Sequence, residues 1–170
     1  MIKPFLEKID QKLSRVIEIL LVVIGLPFFA MLMVEVLSRK LLNHSLFGVY
    51  ELAGYLSIWF SMLGAFLGYR NRELARLNFL VKRLSPRWRR LVFAFNWLLV
   101  MTVLSLLAVS AVVFTYNPAI MTQTSVSFAI PIYIFYLGIP VGLILMAFQT
   151  LIQIFIRDID SLMEETEVLE

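Results

Sequence analysis

From Leu91 to Ile156 the chain contains not one Asp, Glu, Lys or Arg, and the most basic stretch of the sequence stands directly in front of that run. A water-exposed fold cannot leave so long a segment without charge, because surface positions need polar side chains. A bilayer both permits such a run and demands it. The chain therefore reads as an all-α polytopic membrane protein.

The 170 residues, 61% of them apolar and with a mean hydropathy of +0.87, leave room for about four spans of roughly 20 residues each. The first span is placed at 16–37, the second at 46–69, the third at 87–116 and the fourth at 130–156. Asn117-Pro118 ends the third span, and the polar string Met121-Thr122-Gln123-Thr124-Ser125 is the loop that follows. The start of the chain has the look of a signal peptide, but no small-x-small cleavage site follows Val34. The first span is accordingly expected to be a retained anchor.

Lys and Arg set the expected orientation. Four precede the first span (Lys3, Lys8, Lys12, Arg15) and eight lie between the second and third (Arg70, Arg72, Arg76, Lys82, Arg83, Arg87, Arg89, Arg90). These twelve compare with only Arg39 and Lys40 in the first loop and none in the third. The positive-inside rule predicts both termini in the cytoplasm, N-in/C-in. Basic residues beside apolar spans face anionic lipids, and no nucleic-acid partner is expected.

Two amphipathic segments fit helices in the headgroup plane, and at least one is expected to lie flat; the alternative is that they extend the spans into solvent. One is an interfacial helix over 1–15, with Phe5, Leu6, Ile9 and Leu13 on its apolar face. The other is a cytoplasmic segment over 72–85, with Leu74, Leu77, Leu80, Val81 and Leu84 opposite Arg72, Arg76 and Arg83. An acidic cytoplasmic tail occupies 157–170.

Catalytic chemistry finds no support. The absence of cysteine excludes disulfides and thiolate metal sites, and a lone His44 makes no metal cluster. Pumps and carriers place ionisable groups near the bilayer midplane, whereas Glu18, Glu35 and Glu51 all stand toward span ends. Their expected partners are headgroups, water, Arg15 or Arg39. Asn96, Gln149 and Gln153 are expected to make interhelical hydrogen bonds.

What the spans do carry is packing information. Gly54, Ser57, Ser61, Ala65 and Gly68 share one face of the second span, Gly64 and Gly68 form a GxxxG pair, and Gly138 and Gly142 form another in the fourth. Lipid is as apolar as leucine, so helices associate where small side chains allow close approach. Such faces serve either the chain's own bundle or a partner subunit.

Particular residues then carry a resemblance. Tyr50-Glu51-Leu52-Ala53-Gly54-Tyr55-Leu56, Trp59 and Leu63-Gly64-Ala65, followed by Arg70, Arg72 and Arg76, resemble the second-span signature of the small DctQ-type (SiaQ-type) membrane subunit of tripartite ATP-independent periplasmic (TRAP) transporters. Ile130-Pro131-Ile132, Tyr136-Leu137 and Ile139-Pro140-Val141-Gly142 look like its fourth-span signature. The chain departs from the pattern at Leu74, where members often have histidine, and at Asn78, where they often have an acidic residue. The resemblance implies a non-enzymatic scaffold subunit in the bacterial inner membrane, part of a sodium symport of a dicarboxylate, sialic acid or similar carboxylate. It implies stable pairing with a large multi-span subunit, and transient contact with a periplasmic binding protein. No cofactor is expected in this chain: sodium belongs to the large subunit, and bound phospholipid is compatible with the role. The competing reading is a self-sufficient four-helix exporter using Glu18 or Glu35.

Overall fold

The computed structural model describes residues 2–71 and 85–156, and they are almost entirely helical. Helix α1 spans Ile2–Leu42, α2 spans Val49–Arg70, α3 spans Pro86–Thr115, the single turn α4 spans Pro118–Met121, α5 spans Tyr133–Tyr136 and α6 spans Gly138–Ile156. Four stretches are long and apolar enough to cross a membrane: Pro4–Leu42, Val49–Arg70, Leu91–Thr115 and Tyr133–Gln153. Except for Ser85, the amphipathic segment expected over 72–85 lies outside the described residues. So do Leu74, Arg76, Asn78 and the tail over 157–170.

The division expected at residue 15 is not a break in the structure. The amino-terminal segment and the first span form one helix of 41 residues, about 60 Å at 1.5 Å per residue. No glycine or proline falls between Phe5 and Ile24 to interrupt the hydrogen-bond ladder. The helix ends at Asn43, whose φ of +50° places it in the left-handed conformation common just past a helix end.

The fourth span begins later than residue 130 and is divided. Residues 123–132 fold into a short hairpin, with a bridge between Thr124 and Pro131, Ser125 N–H donating to Ile130 O at 2.8 Å and Ile132 N–H to Gln123 O at 3.1 Å. Helix α5 gives way to α6 at Leu137. Pro140 is the cause: it has no N–H to offer the carbonyl of Tyr136, and its ring crowds that carbonyl.

The spans form a row in which the two central helices, α2 and α6, run parallel to each other and antiparallel to α1 and α3 on either side. α1 packs on α2, α2 on α6 and α6 on α3, with a smaller contact between α1 and α6. Accordingly 39% of the most apolar window of the last span is buried, against 11% for the first and third, which form the two edges. The small core joins Ile17 of α1 to Leu63 and Phe66 of α2, ringed by Leu13, Leu21, Ile24, Leu145 and Met146. Broad apolar faces stay open on α1 and α3, including Leu26, Met33, Leu98 and Val109. In water these would drive aggregation; in lipid they are solvated.

Candidate functional site

Two carboxylates, Glu51 and Glu35, stand at one end of the row, and both hold loops. Glu51, in the first turn of α2, accepts the backbone N–H groups of Val126 and Ser127, each at 3.0 Å, and the Tyr55 hydroxyl at 3.0 Å. The Tyr55 ring stacks on Phe135, centroids 4.6 Å apart. One carboxylate thus fastens the hairpin onto the start of α2. Gly48 lies under the same hairpin with φ +75°, and a Cβ there would stand 2.7 Å from Phe128 and from Ser127. Only glycine fits that backbone and that space.

Glu35 does the equivalent work one loop earlier. It is buried at 3% exposure, accepts Arg39 Nε at 2.7 Å, Ser45 Oγ at 2.5 Å and the Leu46 N–H at 3.1 Å. Arg39 also stands over the Tyr50 ring, 5.5 Å from its centroid. Glu18 accepts the Ser14 hydroxyl at 3.0 Å. With the Glu35 oxygens taken up by the loop, that carboxylate is placed to hold structure rather than to bind a moving ion.

At the opposite end, Arg70 closes α2 onto α1. Its Nε and Nη2 both reach the Asp10 carboxylate, the shortest contact 2.7 Å, in a partly buried two-pronged pair. Nearby, the Tyr69 hydroxyl meets Thr150 Oγ1 at 2.8 Å, and Trp97 Nε1 donates to the Thr150 carbonyl at 3.3 Å. These bonds tie α2, α6 and α3 together. The amides picked out by sequence, Asn96, Gln149 and Gln153, make no interhelical hydrogen bond among the described residues. Asn96 is exposed, and Gln149 is buried with no partner for Oε1 among the described residues. Thr150 escaped notice because a threonine can bond within its own helix, and it does so to Met146 O at 2.8 Å as well.

The small residues divide into two groups. On α6, a Cβ added to Gly138 would stand 3.1 Å from the Trp59 ring, and one added to Gly142 would stand 2.7 Å from Met62 Cβ. This glycine pair is the seam between α6 and α2, and Trp59 Nε1 donates across it to Ile134 O at 3.3 Å. On α2, Gly64 is in ordinary contact with Leu21, 3.5 Å from an added Cβ. Gly54 and Gly68 have nothing within 4 Å of an added Cβ, and Gly54, Ser61 and Ala65 are exposed. Ser57 spends its hydroxyl on the Gly54 carbonyl at 2.6 Å. Much of the α2 stripe therefore faces away from the chain's own helices.

Gly25 of α1 escaped sequence reasoning. A Cβ there would stand 2.8 Å from the Phe60 ring, which is flanked by Phe28 and Phe29 at 5.5 and 5.4 Å. A lone glycine two residues before a proline carries no recognisable spacing, so only the folded pair of helices reveals the contact.

Among the described residues, the charged side chains stand at the ends of the row, where they hold loops and helices to one another. No curated protein matches the chain. A family model described as "Tripartite ATP-independent periplasmic transporters, DctQ component" matches residues 28–160, which takes in Glu51, Tyr55, Trp59, Arg70, Arg76, Pro131 and Pro140. The chain belongs to the DctQ family, and is the small multi-pass membrane subunit of a TRAP transporter rather than an enzyme.

Proposed function

We propose that this chain is the fixed scaffold of a sodium-coupled importer of an organic acid such as a C4-dicarboxylate or sialic acid. It lies in the bacterial inner membrane with both termini in the cytoplasm. The large subunit carries sodium and substrate, and the loop end of the row faces the periplasmic binding protein. One observation carries this reading: the spans form an open row whose charged side chains within the described residues sit at the ends, where Glu35, Glu51 and Arg70 fasten elements to one another. Spans with broad open apolar faces widen the membrane anchor of a partner, and their charge-free centre gives a carboxylate nothing to pair with. The outward stripe of Gly54, Ser61 and Ala65 supplies a face for the large subunit, because small residues let a second helix approach closely.

Reconstitution tests the reading. Vesicles containing this chain alone take up no organic acid under an inward sodium gradient, whereas vesicles that also contain the large subunit do so when the binding protein is supplied. Uptake by this chain alone, above empty vesicles, overturns the scaffold role.

A further inference from the structure

At the end of the row marked by the Asp10–Arg70 pair, α1 and α2 frame a recess of about 660 Å³ lined by Lys8, Lys12, Arg15 and Arg70, with Ser14 and Glu18. Arg70 is held by Asp10 and Glu18 accepts from Ser14. Lys8, Lys12 and Arg15 make no ion pair among the described residues. The recess therefore presents three cations, none in an ion pair among the described residues, against the single Glu18 carboxylate and beside a guanidinium that is already fixed in place.

Its position selects among anions. α2 ends at Arg70, which puts the recess at the level where a span leaves the hydrocarbon. Lys8, Lys12 and Arg15 also begin a stripe on α1 that continues, at alternating steps of four and three residues, through Ile19, Val22 and Leu26. Residues at that spacing share one helix face. The lower three are 58%, 55% and 68% exposed. From Arg15 to Leu26 is about 17 Å of helix, close to the half-thickness of a bilayer core, about 15 Å. The face is cationic at headgroup level and apolar for the depth of one leaflet.

We propose that this recess and the stripe below it bind one anionic phospholipid, its phosphate among Lys8, Lys12 and Arg15 and its acyl chain along Ile19, Val22 and Leu26. Free phosphate shares the headgroup chemistry but has nothing to place on the apolar stripe. The assignment depends on the shape of α1 and not on which leaflet the recess faces.

The test uses the complex of this chain with its large subunit, purified in mild detergent and titrated with phosphatidylglycerol or phosphatidylcholine. Bound lipid is counted by native mass spectrometry. Phosphatidylglycerol is expected to bind more tightly than phosphatidylcholine, and K12Q and R15Q to weaken it about fivefold each. K40Q, at the far end of the same helix, is expected to bind like the unaltered complex. Millimolar inorganic phosphate is expected to leave the lipid in place. Equal affinity for the two lipids in the unaltered complex overturns the proposal without any variant. Unchanged binding in K12Q and R15Q overturns it too. Displacement by inorganic phosphate reassigns the recess to a free anion and overturns the lipid assignment.

Discussion

Glu51 holds two successive backbone N–H groups, one on each carboxylate oxygen, in a hairpin that contains a non-glycine residue, Ala129, at φ +53°. A left-handed alanine costs about 1–2 kcal/mol, so the hairpin keeps its shape because something outside it holds it. E51Q leaves one of the two N–H groups facing an amide NH2, and an unmet donor costs about 1–3 kcal/mol. Val126, 92% exposed at the tip, offers a reporter position in a chain that has no native cysteine. A spin label at V126C is expected to be more mobile in E51Q than in the unaltered background, while the amount of protein in the membrane stays the same. Equal mobility in the two backgrounds would mean that the hairpin holds itself.

At the scale of elements, the two sets of small residues make opposite predictions. Gly142 faces Met62 at a distance that already excludes a Cβ, so G142L is expected to separate α6 from α2 and lower the amount of the chain in the membrane. Ala65 is exposed, so A65L is expected to leave that amount unchanged and to reduce recovery of the large subunit on a tagged small subunit. A packed membrane contact is worth about 1–2 kcal/mol. Full recovery of the large subunit with A65L would place the partner elsewhere. The presence of each of these helices was legible in the sequence, because long apolar runs between charged segments admit little else. The direction of each face was not. GxxxG has the same spacing whether it meets a neighbour in its own chain or in another, and only the positions of Trp59 and Met62 separate Gly138 and Gly142 from Gly54 and Gly68. The pairing of Glu35 with Arg39 could be anticipated from a helical step of four residues. The bond between Asp10 and Arg70 spans 60 positions and leaves no local trace.

For the molecule as a whole, the contacts along the row fix which segments share a side of the membrane. Asp10 touches Arg70, so the start of α1 and the end of α2 lie together, and Tyr69 and Trp97 meet Thr150, so the start of α3 and the end of α6 lie there too. The hairpin over 123–132 meets Glu51 at the other end. Among the described residues, Lys8, Lys12, Arg15 and Arg70 stand at the first of these ends and Arg39 and Lys40 at the other. Moving cationic loops outward across an energised membrane is unfavourable, so the end rich in Lys and Arg is expected in the cytoplasm. Single cysteines at exposed positions report the outcome directly. T124C is expected to react with an impermeant thiol reagent added to intact spheroplasts, and E7C to react only after the membrane is opened. The contacts between the ends allow these two positions to exchange sides only together, so reversed labelling would invert the whole row. Such a result would turn Glu51 and its hairpin away from the binding protein and remove the periplasmic part of the proposed function, while leaving the packing of the four spans untouched.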